Sequence, residues 1–406
     1  MNLRPVVDRI KVAVIGVGAL GQHHARYYAD LAASGVVEFV GVCDQDTARA
    51  EEIAAKYGVR ALKSAVEAAE VADAISIVTP TITHFELARE LLGKGRHVLV
   101  EKPMTEQAAQ AAKLVQLAQD NNCVLQVGHV ERFNPVFDYL QEAASDPRFI
   151  ETRSLSPYPK RSIDIGVVLD LMIHDLDAVM AFVKSPITDI DGVGVPVLSG
   201  SEDIANARLK FRNGCVANLT ASRVSPERMR KIRVFSGGER TSYISLDYQK
   251  QEGYIYRIAR DGEKESSLWK KLLRAKDSSI VSEFGGKRIV REPVPIEKDE
   301  PLKLELTHFI ECAQERLTPK VSGESASQAL EVALEIARQS GNTNRESLTL
   351  CSLCALLGEQ GNTSEALKCA EAALKIAQSN NHKGAQQSAL ASLAVLKNNL
   401  GKGTES

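Results

Sequence analysis

Residues 11–21 read KVAVIGVGALG, a short apolar run that ends in the glycine pattern GxGxxG. The run predicts a buried β-strand, and the stretch QHHARYYADLAA that follows it predicts a helix. A glycine-rich turn between a strand and a helix lets the backbone approach a phosphate, while the first turn of the helix offers free N–H groups. We therefore predict a dinucleotide-binding loop. It consists of Gly16, Gly18, Ala19, Leu20 and Gly21.

A carboxylate follows the next predicted strand, VEFVGVC. Asp44 stands 23 residues beyond Gly21, where it can accept hydrogen bonds from an adenosine ribose. The same negative charge would repel a 2′-phosphate, and neither Gln45 nor Asp46 supplies a cation to offset it. The sequence therefore favours NAD over NADP.

Short β-rich runs alternate with amphipathic helical stretches from Ile10 to about Val127. Runs such as AISIVT and HVLVEKP are separated by stretches such as TEQAAQAAKLVQLAQDNN, where apolar residues recur at helical spacing. This alternation predicts an α/β fold with a doubly wound parallel sheet. We assign residues 1–127 to an NAD-binding Rossmann domain.

The pattern changes after Phe133. We predict a helix at about 134–144 and an apolar helix at 167–183, followed by strand-like runs that include ANARLKF, CVANLTASRV and KIRVFSG. Turn signals join these runs, so residues 128–340 are predicted to form an α+β domain with a large open antiparallel sheet. The one-sided alternation leaves one face uncovered. Another subunit could cover that face, and we expect a homo-oligomer, either a dimer or a tetramer.

An internal repeat relates residues 330–366 to residues 370–406 and extends over the last segment, residues 341–406. ALEIA at 333–337 recurs as ALKIA at 373–377, an offset of 40 residues that is typical of helical-repeat arrays. We predict a short tetratricopeptide-like helical appendage. An array of so few helices seldom folds alone, so the appendage should pack on the main body, on a second copy or on a protein partner.

The overall charge excludes some classes of partner. Lys plus Arg number 50 and Asp plus Glu number 52, which leaves a net charge of −2 and no electrostatic signature of nucleic-acid binding.

No stretch approaches the length of a membrane span, and the amino terminus lacks a signal peptide's apolar core. The seven scattered cysteines suit reduced thiols, so a cytoplasmic location is expected.

Two further motifs could carry chemistry. Glu101-Lys102-Pro103 ends a predicted strand, at the edge where ligands of open α/β sheets bind. Asp170 and His174 are i,i+4 neighbours on the predicted helix, where a carboxylate can orient an imidazole and raise its basicity. Taken alone, each motif is more often a solvated turn or an ordinary helical histidine.

Together with TPTITH at 79–84, these motifs resemble the Gfo/Idh/MocA oxidoreductases, over roughly residues 9–340. The resemblance implies that Lys102, Asp170 and His174 surround the sugar hydroxyl that is oxidised. His174 would be the general base, Lys102 would stabilise the alkoxide and Asp170 would orient His174. The implied cofactor contacts beyond the glycine loop and Asp44 are Thr79, Pro80, His84, Glu101 and Lys102.

A narrower resemblance rests on GHVERFNP at 128–135 and RSIDIGVVLDLMIHDLD at 161–177. These segments are similar to those of UDP-N-acetylglucosamine 3-dehydrogenases and related nucleotide-sugar oxidases. The resemblance implies oxidation of C3 of a UDP-sugar. Besides the three catalytic candidates, the substrate-binding candidates are Arg132, Asn134, Lys160 and Arg161, the last two for the diphosphate.

Two alternatives stay open at this point. One is an inositol or simple-sugar dehydrogenase of the same family, and the other is a non-catalytic dinucleotide-binding scaffold. The pair Cys351 and Cys354 has the spacing of some zinc sites, but the repeat places Ala391 and Ala394 at the equivalent positions. Apolar packing explains these cysteines, and we predict no metal.

Overall fold

A computed structural model of the chain describes 9–158, 165–238, 241–259, 279–284, 287–340, 363–379 and 386–393, together with Cys354 and Leu396. Two β-sheets organise these residues, and helices pack on both. No helix in these ranges is long and apolar enough to cross a lipid bilayer.

The first sheet has six parallel strands. They are β1 (Lys11–Ile15), β2 (Glu38–Cys43), β3 (Arg60–Leu62), β4 (Ala74–Ile77), β5 (His97–Glu101) and β6 (Leu125–Gly128). Five helices alternate with them: α1 (Gly21–Ala33), α2 (Thr47–Tyr57), α3 (Ala65–Val71), α4 (Thr81–Gly93) and α5 (Ala108–Asp120). The spatial order β3-β2-β1-β4-β5-β6 confirms the predicted doubly wound sheet. The order reverses between β1 and β4, which is where such sheets bind ligands.

The second sheet has nine strands in the described residues. They are β7 (Pro147–Leu155), β8 (Ile187–Val195), β9 (Ile204–Phe211), β10 (Val216–Ser222), β11 (Met229–Ser236), β12 (Ser242–Asp247), β13 (Glu252–Ile258), β14 (Ser279–Phe284) and β15 (Lys287–Pro293). Their order is β14-β15-β13-β12-β11-β7-β10-β9-β8. Every neighbouring pair is antiparallel except β7 and β10. The predicted open sheet is confirmed, with this one parallel pair as an addition.

Helices cover one face of the second sheet. A 3₁₀ turn (Val130–Phe133) leads into α6 (Pro135–Ala143), and a π-helical turn (Val168–Met172) leads into α7 (Ile173–Val183). The predicted helix at 167–183 is therefore present, with a π-helical first turn. Residues of β9 alternate strictly between exposed and buried, as expected for a sheet with one covered face.

Two later helices return to the first sheet. In α8 (Pro301–Glu315) the apolar side chains Leu306, Phe309 and Ile310 join Tyr28 of α1 in one buried core. The next helix, α9 (Gly323–Gln339), contacts α5 of the first sheet and α7 of the second. The two sheets are thus joined by helices as well as by the chain connection.

The described part of the C-terminal segment contains α10 (Thr363–Ser379) and a small apolar cluster. Cys354 is buried in this cluster beside Ala366, Ala370, Leu393 and Leu396. Cys354 therefore packs as a small apolar residue, while Cys351 lies outside the described residues. The tetratricopeptide-like pairing stays a prediction.

Candidate active site

The glycine loop between β1 and α1 is built by close backbone contacts. Gly16 has φ +87°, and a Cβ there would lie 2.4 Å from the carbonyl oxygen of Val78. A Cβ on Gly21 would lie 1.8 Å from the carbonyl oxygen of Gly16. These two positions require glycine. A Cβ on Gly18 would meet nothing within 4 Å, so the backbone at Gly18 is open to a ligand.

A cavity of about 720 Å³, which we call the loop cavity, opens beside this turn. Gly16, Gly18, Asp44, Thr79 and Pro80 are among the residues that line it. The Asp44 carboxylate accepts hydrogen bonds from the backbone N–H groups of Val17 at 2.7 Å and Asp46 at 3.0 Å. Lys63 also lines the cavity and adds a cation that the strand-by-strand sequence analysis did not find.

His84 is buried behind the loop cavity. Its Nδ1 lies 2.9 Å from the carbonyl oxygen of Pro103, and its Nε2 lies 2.8 Å from the carbonyl oxygen of Thr79. Burial lowers the pKa of His84. The ring therefore ties the turn that lines the loop cavity to the turn that follows Lys102.

A second cavity of about 410 Å³, which we call the lysine cavity, lies next to Leu20 of the glycine loop. Lys102 and His174 both line it, so side chains from the two sheets meet there. The Lys102 ammonium donates hydrogen bonds to the Asp170 carbonyl oxygen at 2.6 Å and to the Asp170 carboxylate at 3.2 Å.

Glu101 holds the backbone of Lys102 in place. The Glu101 carboxylate lies 3.1 Å from His24 Nε2 and accepts a hydrogen bond from the backbone N–H of Lys102. Burial alone would raise the pKa of Glu101, but the hydrogen bond and charge of His24 lower it. Gly128 on the neighbouring strand leaves room for Glu101, because a Cβ there would lie 2.8 Å from the carboxylate.

His174 is a buried, neutral imidazole. Burial and then the positive charges of Lys102 and Arg230 hold its pKa well below the usual range. Its ring packs edge-on against His129, with 5.6 Å between ring centroids. In the described residues Nδ1 of His174 has no hydrogen-bond partner. A neutral imidazole at a cavity wall can accept a proton.

One expectation about Asp170 is not met. The i,i+4 spacing predicted that Asp170 orients His174, whereas the Asp170 carboxylate contacts Lys102. The ammonium is the stronger partner, because it carries a full positive charge and the neutral imidazole does not. Asp170 therefore positions the Lys102 ammonium. Its connection to His174 is the backbone of the helical segment that carries both residues.

One wall of the lysine cavity contains the carboxylate of Glu131. Glu131 lines it and accepts hydrogen bonds from Arg230 at 2.6 Å and from Asn134 at 3.2 Å. Asn134 also donates to the carbonyl oxygen of Tyr248, another residue of this wall. The carboxylate is thus fixed from two directions.

The comparisons with known proteins agree with this geometry. The profile described as an oxidoreductase family with an NAD-binding Rossmann fold matches residues 10–129, and that of the GFO/IDH/MocA C-terminal domain matches residues 141–242. UDP-N-acetylglucosamine 3-dehydrogenase of Acidithiobacillus ferrooxidans is 40% identical over 248 residues, which cover 61% of this chain and 77% of that protein. The chain belongs to the Gfo/Idh/MocA oxidoreductase family.

A solved structure and a second relative show how far the similarity reaches. A solved structure of UDP-N-acetylglucosamine 3-dehydrogenase from A. ferrooxidans has 33% identity and a TM-score of 0.71, covering 81% of this chain and 97% of that one. The scyllo-inositol 2-dehydrogenase (NAD(+)) of Bacillus subtilis is 26% identical and covers 80% of this chain and 92% of that protein.

The remaining predicted site residues of this Gfo/Idh/MocA protein fall in different places. Asn134 lines the lysine cavity, and its Oδ1 also caps α6. Arg132 is buried and turned away, with its guanidinium 3.4 Å from Asp177 and 3.0 Å from the carbonyl oxygen of Lys320. Lys160 and Arg161 lie outside the described residues.

No sequence motif indicated Glu131 and Tyr248 of the lysine-cavity wall, or Arg230, which contacts Glu131. Glu131 directly precedes a predicted candidate, but an acid in a short turn has no motif of its own. Arg230 and Tyr248 lie on and after strands of the second sheet, about 100 residues away in sequence. Only the sheet pairing brings them to the 3₁₀ turn, so no local signal could have found them.

Proposed function

We propose that this protein is an NAD-dependent dehydrogenase that oxidises C3 of UDP-N-acetylglucosamine or of a related nucleotide sugar. The observation that carries the proposal is the lysine cavity, where Lys102 and His174 share one wall beside Leu20 of the glycine loop. The A. ferrooxidans relative is named for this reaction, which supports the choice of substrate.

The loop cavity fits a dinucleotide. Gly18 presents open backbone at the start of α1, where N–H groups and the helix dipole favour a pyrophosphate. Asp44 uses two hydrogen bonds on the protein side, and a carboxylate can accept about four. Its remaining lone pairs suit ribose hydroxyls. When bound, NAD would supply the hydride acceptor.

The proton chemistry belongs to the side chains of the lysine cavity. His174 is neutral and buried, so it can take the proton of the sugar hydroxyl as a general base. Lys102 would donate a hydrogen bond to the same oxygen as negative charge develops there, the kind of stabilisation a low-dielectric site makes strong. Asp170 keeps the ammonium in position through its two contacts.

The substrate end of the site is proposed from fewer contacts. Asn134 reaches the lysine cavity. We assign the diphosphate to Lys160 and Arg161, since guanidinium and ammonium donors suit phosphate oxygens. Arg132, in contrast, would act by holding the turn that carries Glu131.

A second candidate function is oxidation of inositol or of a free sugar. The similarity to the B. subtilis scyllo-inositol 2-dehydrogenase, which covers 92% of that protein, supports this alternative. Both candidates use the same hydride and proton transfers, so they differ only in what occupies the outer part of the lysine cavity.

The test is a substrate panel read by NADH absorbance. Purified protein is incubated with NAD or NADP and with UDP-N-acetylglucosamine, other UDP-sugars, free hexoses and inositols. We expect turnover with NAD and UDP-N-acetylglucosamine and at least about 100-fold less in Lys102→Met. Turnover of free sugars alone would favour the second candidate. No turnover of any compound by folded protein would favour the scaffold alternative and reject the proposal.

We also propose a cytoplasmic homo-oligomer that pairs through the open face of the second sheet. An aromatic row crosses this face, with centroid separations of 5.9 Å from Phe149 to Phe235, 4.5 Å to Tyr243 and 5.2 Å to Tyr256. Partly exposed aromatic side chains that lie in a row favour association. Light scattering should then give at least twice the mass of one chain, and a monomer would reject this assembly. For the C-terminal helical appendage we propose a further protein as partner.

A further inference from the structure

The lysine cavity contains a carboxylate that the proposed hydride and proton transfers do not use. The Glu131 side chain is about one-seventh exposed, and the exposed part faces the cavity that Lys102 and His174 share. Its position is fixed before any ligand enters, because Arg230 binds Oε1 and Asn134 binds Oε2. Such preorganisation is typical of a residue that recognises a ligand.

The free capacity of Glu131 is acceptor capacity only. An ionised carboxylate has about four lone-pair positions, and the two protein donors occupy two of them. The remaining positions can accept hydrogen bonds from hydroxyl or amide N–H groups. They repel an anionic substituent.

The cations in and next to the cavity are each held by a carboxylate, which weakens their attraction for an anionic ring substituent. Lys102 is paired with Asp170, Arg230 with Glu131, and Arg132 with Asp177. Behind Arg230 lies a second carboxyl group, Asp175, which further offsets its charge. In the part of the site that the structure describes, each of these cations therefore has a carboxylate partner already.

We propose that Glu131 is a specificity-determining residue that admits a neutral, hydroxyl-rich or acetamido sugar to the lysine cavity and rejects a sugar with a carboxylate on its ring. The proposal rests on the proposed function for its choice of nucleotide sugar. Neutral donors of the sugar would bind the free lone pairs of Glu131, while a C6 carboxylate would face it across a cavity of about 410 Å³.

The experiment compares two nucleotide sugars that differ only at C6. UDP-N-acetylglucosamine and its C6-carboxylate analogue are tested with wild type and Glu131→Gln, by kcat/KM and by calorimetric binding to the NAD-loaded protein. In Glu131→Gln we expect kcat/KM and affinity for the neutral sugar to fall roughly 10- to 100-fold, because charge-assisted hydrogen bonds are lost. The ratio of kcat/KM for the carboxylate sugar to kcat/KM for the neutral sugar should rise by about tenfold or more, since Arg230 loses its carboxylate partner.

Two further variants serve as controls. Glu131→Asp keeps the charge and should keep the discrimination against the carboxylate sugar, even where affinity falls. Glu142→Gln changes an exposed acid on α6. It should change neither the affinity for UDP-N-acetylglucosamine nor the preference between the two sugars. An unchanged preference ratio in a folded Glu131→Gln protein that still binds NAD would overturn the role of Glu131.

The outcome separates the two proposals. A wild type that oxidises a free sugar and no nucleotide sugar contradicts the proposed substrate, and the same comparison is then made between a hexose and its uronic acid. If wild type binds or oxidises the carboxylate sugar as well as the neutral one, the role of Glu131 is rejected whatever the fate of the substrate assignment.

Discussion

The ammonium nitrogen of Lys102 lies 2.6 Å from the main-chain carbonyl oxygen of Asp170 and 3.2 Å from its carboxylate. A strand of the first sheet thereby meets the helix of the second. Because the carbonyl contact survives a side-chain change, Asp170→Asn should lower kcat by only about tenfold, against at least about 100-fold for Lys102→Met. Steady-state kinetics and NAD titration check this, and NAD affinity should change far less than kcat in both variants. Equal losses in the two variants would show that the carboxylate does more than hold the lysine.

The pH dependence of activity should reflect the buried His174. Burial and the charge of Lys102 hold its pKa well below the usual value of about 6.5, so the base form persists into acid. Activity should therefore be lost only as pH falls well below 6.5. The measurement is kcat/KM between pH 4.5 and 8, with protein stability followed in parallel. An acid limb centred at or above pH 6.5 contradicts the assignment of His174 as the buried base.

Asp175 should make the protein less stable as pH rises. Burial raises the pKa of this carboxyl to about 6, despite Arg230 and the hydrogen bond from Ser154. The folded state thus binds the proton more tightly than the unfolded chain, whose Asp titrates near 3.9, and stability falls between about pH 4 and pH 6. Asp175→Asn should gain stability over wild type by roughly 2–3 kcal/mol above pH 7 and by little at pH 4. Urea unfolding at several pH values tests this, and a pH-independent difference contradicts it.

Gly166 should be required for close packing at the start of the helix that carries His174. A Cβ there would lie 1.8 Å from the Glu202 carboxylate, which accepts a hydrogen bond from the backbone N–H of Val168. Gly166→Ala must displace Glu202 and should cost roughly 1–3 kcal/mol of stability as well as activity. Gly93→Ala is the control, because a Cβ there meets nothing within 4 Å. Thermal unfolding that shows equal effects for both would reject this packing argument.

Asp44 should set the preference for NAD. Its carboxylate lies at the loop cavity and would repel a 2′-phosphate, although Lys63 lines the same cavity. Asp44→Ala should reduce the ratio of kcat/KM for NAD over NADP by at least about tenfold. Lys63→Ala should move the ratio the opposite way. If Asp44→Ala leaves the ratio unchanged, another residue determines the cofactor preference.

The parts of the molecule that the sequence predicted are those with local signals. GxGxxG between KVAVI and a helical stretch locates the loop, because the close contact of Gly21 with the carbonyl oxygen of Gly16 arises within six residues. Alternating strands and helices predict a doubly wound parallel sheet, because a helix must connect each strand to the next parallel one. Strand alternation in β9 likewise predicts a sheet with one covered face.

The parts that could not be predicted depend on long-range pairing. The contact of Lys102 with Asp170 joins residues 68 apart, and that of Glu131 with Arg230 joins residues 99 apart. Arg132 and Glu131 are adjacent in sequence, yet one points into the core and the other into the cavity. The parallel placement of β7 beside β10 follows from the chain path around α7, which local strand patterns do not encode.

The return of α8 to the first sheet affects how the protein is made. Leu306, Phe309 and Ile310 complete the apolar core around Tyr28, so a nascent chain that has emerged only through β6 still lacks part of its hydrophobic covering. The apolar core around Tyr28 is therefore complete only after α8 has emerged from the ribosome. Premature termination within the second sheet would consequently yield an aggregation-prone fragment rather than a small independent nucleotide-binding protein.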